Sequence, residues 1–203
     1  MKVSPDKKLR IFTIGHSTRS FEQFVCLLKE FGVGTVADIR RYPSSRKFPH
    51  FNGAVLRGLL KAEQIEYVWL EGLGGRRHNP TSEPSPNTGL KSLGFRNYAD
   101  YMVTDEFRAA AQELFSIAAA SQTAVMCAEK LYWRCHRRLL SDYLTACGAV
   151  VEHIIEATRL QPHRLTAGAV ITPRLNSSQA AEQTVVYPAQ PGEASSGHGL
   201  FDS

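Results

Sequence analysis

The sequence predicts an α/β fold, a single domain with a mainly parallel, open sheet of about five strands and helices on both faces. Short apolar segments typical of buried strands alternate with segments whose apolar residues recur every three or four positions. Such alternation is typical of parallel sheets with right-handed crossover connections. A chain of 203 residues can also bury a core without a disulfide framework or a structural metal.

The first predicted strand covers residues 11–14, which are apolar apart from one threonine. Ser20 is then expected to cap a helix, because Gln23 follows at the capping-box position. The second strand is predicted over residues 33–39. Residues 40–51 are polar, basic and interrupted by proline, which indicates a loop.

A helix carrying Leu56, Leu59 and Leu60 on one face is predicted to precede a third strand over residues 65–70. Residues 72–93 are rich in glycine and proline and indicate a long loop, and long ordered loops are often functional. The remaining elements continue the alternation. In order, they are a helix over 95–102, a helix capped by Thr104, a strand over 123–127, a helix over 133–147, a strand over 150–155 and a short helical turn over 162–169.

Two segments of different composition divide the chain. Residues 1–172 are expected to form the α/β domain, whereas residues 173–203 are rich in Ser, Gln, Ala, Pro and Gly and are expected to be a disordered tail. The charged N-terminus has no apolar signal core, and no apolar run reaches 18 residues, so a cytoplasmic location without membrane contact is expected. Four irregularly spaced cysteines do not indicate a disulfide framework.

The net charge is +5, and the predicted tail lowers it, because it holds one arginine and three acidic residues. The rest of the chain therefore has 23 basic and 16 acidic residues, a charge of +7. A basic body suits a phosphate-bearing partner, either an anionic small molecule such as a nucleotide or a nucleic acid. The same charge is also compatible with a role in solubility alone.

Polar residues follow each of the first four predicted strands. Because parallel strands end at the same edge of a sheet, these residues should surround one crevice, where open α/β folds bind their ligands. The residues before the strands carry no comparable chemistry. The sequence therefore predicts one anion-binding site at this edge.

The richest of these segments joins the fourth strand to the next helix. It begins with Cys127 and Glu129 and ends with Cys135, His136 and Arg137. A thiol close to cations and a helix N-terminus loses its proton more easily, so one of these cysteines is expected to be a reactive thiolate. The two other cysteines of the chain are interpreted as packing residues on helix faces.

These patterns favour an enzyme that acts on a nucleotide, a nucleic acid or another phosphorylated substrate. The predicted catalytic residues are Cys127, Glu129, Cys135, His136 and His16, with either histidine as acid or base. The predicted substrate-binding residues are Gly15, Ser17, Asp38, Arg40, Ser45, Arg46, Gly74, Gly75 and Arg137. No cofactor is required by this reaction class.

Three other functions are compatible with the same residues. Cys127, Cys135 and His136 could supply three zinc ligands and leave one coordination position open. The two cysteines could instead form a redox-sensitive disulfide if their α-carbons lie within about 7 Å. The loop 40–51 interleaves basic and aromatic residues, which would also suit a non-catalytic nucleic-acid-binding module.

Several of these motifs, in this order, resemble one family. They are Ile14-Gly15-His16-Ser17, Asp38-Ile39-Arg40 with Pro43 and Ser45, Leu73-Gly74-Gly75, Phe95 with Tyr98-Ala99 and Tyr101-Met102, and Cys127-x-Glu129 followed by Cys135-His136-Arg137. Together they resemble the bacterial and archaeal family called domain of unknown function 488. The resemblance covers roughly residues 11–166. It implies a compact α/β domain with a site built on these residues, and it implies no particular reaction.

Overall fold

The computed structural model describes residues 8–78, 84–175 and 181–189. Within these ranges the chain forms a six-stranded sheet, in the order β3-β2-β4-β1-β5-β6. The strands are β1 (Arg10–Gly15), β2 (Thr35–Asp38), β3 (Glu66–Trp69), β4 (Thr123–Cys127), β5 (Val150–Glu156) and β6 (Arg159–Pro162). The first five are parallel, and β6 is antiparallel to β5. The predicted α/β class and mainly parallel sheet are therefore confirmed.

In the described ranges, five α-helices connect and cover the strands. They are α1 (Phe21–Glu30), α2 (Gly53–Ala62), α3 (Leu93–Tyr101), α4 (Asp105–Ala120) and α5 (Arg137–Ala146). The capping box at Ser20 is present, with the Ser20 hydroxyl accepting from the backbone of Gln23. The Thr104 hydroxyl caps α4 by accepting from the backbone N–H of Phe107. Neither of these two helix starts depends on distant contacts, which is why sequence alone predicts them.

Two apolar clusters lie on the two faces of the sheet. Residues of α1 and α2 pack with Phe12, Val36 and Met126 on one face. Residues of α3, α4 and α5 pack with Ile11 and Val125 on the other. Neighbouring residues of one strand thus enter opposite clusters, as the two-residue period of a strand requires. The prediction of helices on both faces is confirmed.

Two predictions about local structure were wrong. Residues 163–169 contain no helix, because β6 returns antiparallel to β5 and ends at Pro162. The helix predicted from residue 133 begins at Arg137, and the single 3₁₀ turn Tyr132–Arg134 precedes it. The sheet agrees with the predicted number of about five strands and has β6 in addition, whose residues Arg159–Pro162 include only one apolar side chain besides proline.

The predicted disordered tail was wrong for its described part. An antiparallel hairpin joins β7 (Val170–Leu175) and β8 (Ala181–Val186). Val185 and Tyr187 are almost fully buried against the core. The burial of these two side chains offsets part of the conformational entropy lost when the segment is ordered. Residues 176–180 and 190–203 of the predicted tail lie outside the described residues.

No helix in the described ranges combines the length and the apolar character needed to cross a lipid bilayer.

Candidate functional site

A cavity of about 1120 Å³ opens at the carboxyl edge of the parallel strands. Its walls are drawn from the segments 16–18, 40–48, 75–76, 92–98 and 127–136. The loops after β1 and β4 are joined directly, because the backbone N–H groups of residues 16 and 17 donate to the carbonyls of residues 127 and 128, both at 2.9 Å. The strand ends therefore converge on one concavity, as the parallel topology predicts.

The cavity collects most, but not all, of the predicted site residues. Those that line it are His16, Ser17, Arg40, Ser45, Gly75, Cys127, Glu129, Cys135 and His136. Those that do not line it are Gly15, Asp38, Arg46, Gly74 and Arg137. Of the second group, Asp38 and Arg137 are buried directly behind the wall, whereas Arg46 is exposed on the loop.

Glycine is required at two places where the wall segments approach each other. A β-carbon on Gly15 would overlap the carbonyl group of Glu129. A β-carbon on Gly75 would lie 2.7 Å from Nδ1 of His136, closer than such atoms can pack. These glycines therefore let the loops after β1 and β3 contact the segment 127–136.

Asp38 and Arg40 form a buried ion pair in the wall. Oδ2 of Asp38 accepts from Nη2 of Arg40 at 2.6 Å and from the Tyr67 hydroxyl at 2.7 Å. Nη2 of Arg40 also donates to the Phe51 carbonyl at 2.8 Å. Burial lowers the pKa of Arg40, but the hydrogen bonds and charge of Asp38 outweigh it and raise the pKa overall. The pair is fully satisfied and fixes the Arg40 guanidinium at the cavity.

His16 lies beside this pair as a neutral imidazole. Its Nδ1–H donates to the Ser17 carbonyl at 3.0 Å, which leaves Nε2 as an acceptor 3.4 Å from Nη1 of Arg40. Burial and the charge of Arg40 lower the pKa of His16 to about 4. The ring stacks on Phe51 with centroids 4.1 Å apart. His16 is thus held in one tautomer at neutral pH.

Cys127 and Cys135 form an asymmetric pair of thiols at the floor of the cavity. The pKa of Cys135 is well below its ordinary value, because the Cys127 thiol donates to it and because His136 and Arg137 add positive potential. The pKa of Cys127 is raised in turn by its hydrogen bond to Cys135 and by burial. The two shifts are opposite, so Cys135 is the thiol of the pair that loses its proton more readily, and no disulfide joins the two cysteines.

His136 completes this group. Its Nδ1 lies 3.5 Å from Sγ of Cys135, and its ring packs edge-on against Tyr98 with centroids 5.0 Å apart. Its Nε2 is buried and has no hydrogen-bond partner among the described residues. The ligand atoms of Cys127, Cys135 and His136 all lie within 4.8 Å of one another. This set of two sulfurs and one imidazole nitrogen is compatible with zinc coordination.

Arg137 supports the cavity from behind. Its side chain is 1% exposed, and its Nη2 donates to the carbonyl of Glu129. Glu129 itself reaches the cavity, and its carboxylate accepts from the backbone N–H of Leu131 at 3.1 Å. Arg137 thereby fixes the loop that separates the two cysteines.

The cavity lining is strongly basic. Among the described residues, it contains six lysine or arginine side chains and one carboxylate, that of Glu129. Arg41 is paired with Glu71 at 3.0 Å, and Lys130 with Glu156 at 2.8 Å. The basic lining side chains that form no ion pair with a residue of the described ranges are Lys47, Arg76 and Arg134. This excess of positive charge would attract an anionic ligand.

The set of predicted site residues omitted several residues of the wall. These are Arg41, Tyr42, Lys47, Arg76, Phe95, Tyr98 and Arg134. Most of them lie in loops that the sequence already marks by their position after a strand. Tyr98 had no such signal, since it lies on α3, outside any strand end. The interpretation of Cys26 and Cys147 as packed was wrong, because both cysteines are exposed.

The model of a protein family, described as domain of unknown function DUF488, matches residues 20–144. The chain belongs to this family. The DUF488 match includes the cysteine pair and the Asp38–Arg40 pair, whereas Gly15, His16 and Ser17 precede it. No curated protein and no solved structure gives a significant match.

Proposed function

We propose that the chain is an enzyme that binds an anionic, phosphorylated substrate in this cavity and attacks it with the Cys135 thiolate. The observation that carries the proposal is a close pair of thiols in a basic cavity, with Sγ of Cys135 3.5 Å from the His136 imidazole and the buried Arg137 behind the loop between the cysteines. These neighbours lower the pKa of Cys135. A thiolate with such partners is the usual form of a catalytic cysteine.

The remaining groups have roles that follow from their positions. Sγ of Cys135 would form a bond to the electrophilic atom, and the leaving group would depart as an anion with the electron pair of the broken bond. Glu129 would then accept a proton from water as that water displaces Cys135, which leaves as a thiolate. His16, whose Nε2 faces Arg40, serves as a hydrogen-bonding group. With a pKa of about 4, it is a weak base at neutral pH.

The surroundings support a nucleotide or nucleic acid as the substrate. Tyr42 lines the cavity with 64% of its surface exposed, and Phe95 lines another wall. Aromatic faces next to unpaired cations suit base stacking combined with phosphate contacts.

Alkylation by iodoacetamide between pH 5.5 and 8.5, with mass spectrometry to locate each product, tests the nucleophile. The exposed cysteines Cys26 and Cys147 are internal controls in the same sample. We expect Cys135 to react at pH 6, where an ordinary thiol with a pKa of about 8.5 is almost unreactive. Cys127→Ser should change the pH dependence of Cys135 alkylation, because a serine hydroxyl would replace the Cys127 thiol as the neighbouring hydrogen-bond donor. A Cys135 rate no higher than that of Cys26 at pH 6 would reject the proposal.

Protection against alkylation tests the substrate class. A nucleoside diphosphate or a short single-stranded oligonucleotide should slow alkylation of Cys135 and leave Cys26 unaffected, and added salt should weaken this protection. If oligonucleotides bind in a salt-dependent manner while Cys135 has ordinary reactivity, the chain is a non-catalytic nucleic-acid-binding module. If neither compound protects Cys135, the assignment of the substrate class is wrong.

One observation favours a second function, a metal centre. The three donor atoms of Cys127, Cys135 and His136 are already within 4.8 Å of one another, and the cavity leaves an open side for a further ligand. Two thiolates would neutralise a divalent zinc ion, and both cysteines would then lose their protons. In this case Cys135 would be masked from alkylation until a chelator is added.

Metal analysis of the purified chain distinguishes the two functions. About one zinc per chain, lost in Cys127→Ser and retained in Cys26→Ser, would favour the metal centre. Addition of Co²⁺ should then produce a charge-transfer absorption band from its bonds to sulfur. Less than about 0.1 zinc per chain, no such band and rapid alkylation of Cys135 would favour the nucleophile.

A further inference from the structure

A buried chain of hydrogen bonds extends away from the cavity, behind Arg137. Oδ1 of Asp142 accepts from Nε2 of His163 at 2.8 Å, and Nδ1 of His163 is 3.0 Å from Nε2 of His153. Nδ1 of His153 is in turn 2.7 Å from the hydroxyl of Thr13. The hydroxyl oxygen of Thr13 then lies 3.5 Å from Nη1 of Arg137. The chain thus connects a carboxylate to the arginine that holds the loop between the cysteines.

With neutral imidazoles, this chain has one consistent direction. His163 donates to Asp142, so its other nitrogen must accept from His153, and His153 in turn must accept from the Thr13 hydroxyl. The lone pairs of the Thr13 oxygen then face Arg137. Burial, the largest cause, and the charge of Arg137 lower the pKa of His153 to about 2, which keeps its ring neutral.

The far end of the chain is anchored by the hairpin. The hydroxyl of Tyr187, which directly follows β8, donates to Oδ2 of Asp142 at 2.7 Å. The Tyr187 backbone N–H also donates to Asn87 at 2.9 Å. His153, His163 and Tyr187 all lie beyond the range that matches the DUF488 family. The anchor therefore belongs to a part of this chain outside the family match.

Burying so many polar groups costs folding free energy, so a functional role for these contacts is expected. His153 and Asp142 are fully buried. The Tyr132 ring stacks on the His153 ring, with the two ring centroids 3.4 Å apart. The group is closed to substrate, so it cannot be a second active site. Thr13 links it by a hydrogen bond to Arg137, which in turn holds the Glu129 carbonyl in the loop between the cysteines.

We propose that Thr13, His153, His163 and Asp142 are positioning residues, which orient Arg137 beneath the cysteine pair, with Tyr187 as their anchor. This inference rests on the proposed thiolate function. It predicts that the reactivity of Cys135 depends on a hydroxyl group in the middle of the sheet and on a hairpin tyrosine, although neither contacts a sulfur atom.

Thr13→Val tests the chain with almost no change in shape, and Thr13→Ser restores the hydroxyl. The measurement is the pH profile of Cys135 alkylation in the full chain after treatment with a chelator. We expect Thr13→Val to move the profile to higher pH and slow the reaction at pH 6 about threefold or more, since an unanchored Arg137 stabilises the thiolate less. Thr13→Ser should react within about twofold of the unmodified chain, as restored hydrogen bonding predicts.

Two outcomes would overturn the inference. One is a folded Thr13→Val protein with the original Cys135 profile, and the other is a Thr13→Ser profile shifted as far as that of Thr13→Val. Tyr187→Phe, which removes only a hydroxyl, provides an independent test if Thr13→Val does not fold. It should shift the profile in the same direction by less, and an unchanged profile would overturn the inference.

The two proposals fail in different ways. If Cys135 of the unmodified chain reacts no faster than the exposed Cys26 at pH 6, the thiolate function itself is wrong. If Cys135 is activated and the Thr13 and Tyr187 variants leave its profile unchanged, only the positioning role is wrong.

Discussion

Two buried arginines flank the cysteine pair, and their charges are balanced in different ways. Arg40 is 6% exposed and Arg137 is 1% exposed, so burial does not distinguish them. Arg40 makes a bidentate contact with the carboxylate of Asp38. Arg137 has no carboxylate within salt-bridge distance in the part of the chain that the structure describes, and it donates to the Glu129 carbonyl and the Thr13 hydroxyl.

This difference distinguishes the two arginines electrostatically. Asp38 offsets much of the charge of Arg40, although that charge still lowers the pKa of His16. Within the described residues, the charge of Arg137 faces carbonyl and hydroxyl dipoles, and this charge lowers the pKa of Cys135. We infer that Arg40 mainly maintains the wall of the cavity and that Arg137 mainly maintains the thiolate. Substitutions of the two sites should therefore affect different properties.

The largest expected effect is a loss of stability when Asp38, the partner of Arg40, is replaced. Asp38→Asn keeps the shape of the side chain but leaves Arg40 buried without a counter-ion. Breaking a buried ion pair in this way costs about 3–5 kcal/mol. Urea unfolding should show this loss in the free energy of unfolding.

Glu71→Gln is the matched control for this substitution, because it removes the partner of Arg41 at a half-exposed position. Such an exposed pair contributes about 0–1 kcal/mol. If Asp38→Asn costs no more than Glu71→Gln, Arg40 does not depend on its carboxylate, and the contrast between the two arginines is wrong.

The next effect is on the Arg137 side and concerns reactivity. Arg137→Met retains an unbranched side chain but removes the positive potential near Cys135, so the pKa of that thiol should rise. The rate of Cys135 alkylation at pH 6 should fall several-fold. The unfolding free energy should change by about 1–3 kcal/mol, the cost of leaving the Glu129 carbonyl unpaired.

Arg138→Met controls for the loss of one positive charge at the start of α5. Arg138 stacks on Phe95 at 4.7 Å and makes no hydrogen bond to the loop of Glu129. Its substitution should leave the alkylation profile of Cys135 nearly unchanged. Equal shifts in the two variants would show that net charge, and not the position of Arg137, determines the reactivity.

The sequence could predict the location of the site because that location depends on topology alone. Once strands alternate with helices, the loops containing His16, Arg40 and Cys127 must reach the same edge of the sheet. The sequence could not predict how the polar residues share their contacts. Asp38 and Arg137 follow the same pattern as the lining residues, but three-dimensional packing places both behind the wall.

The parts of the fold that sequence missed depend on distant contacts. β8 contains Glu182, Gln183 and Thr184, which give no continuous apolar signal. Its order comes from Val185 and Tyr187 packing against the α3–α5 side of the core. The contacts of His153 could not be predicted from the sequence for the same reason, because its partners Thr13 and His163 are 140 and 10 residues away along the chain.

Counted per pH unit and per residue, the smallest expected effect is a loss of stability from the neutral histidine near each arginine. His16 beside Arg40 has a pKa of about 4, and His153 in the chain behind Arg137 has a pKa of about 2. An unfolded histidine has a pKa of about 6.5, so below that pH the unfolded chain binds protons that the folded chain does not. Stability should therefore be greatest above pH 6.5 and fall as the pH decreases.

The slope of this loss is expected to approach about 1.4 kcal/mol per pH unit for each buried histidine, because the unfolded chain binds one proton that the folded chain does not. Urea unfolding at pH 7.5, 6.5, 5.5 and 4.5 would measure it. His16→Asn should reduce the pH dependence of the unfolding free energy and leave the contribution of His153. The control His78→Asn alters an exposed histidine and should keep the full pH dependence. Because the pKa of His16 is higher, its share should end near pH 4, while that of His153 should persist to lower pH. A slope unaffected by His16→Asn would mean that His16 is protonated beside Arg40 in the folded protein, which would contradict its role as the acceptor in the wall.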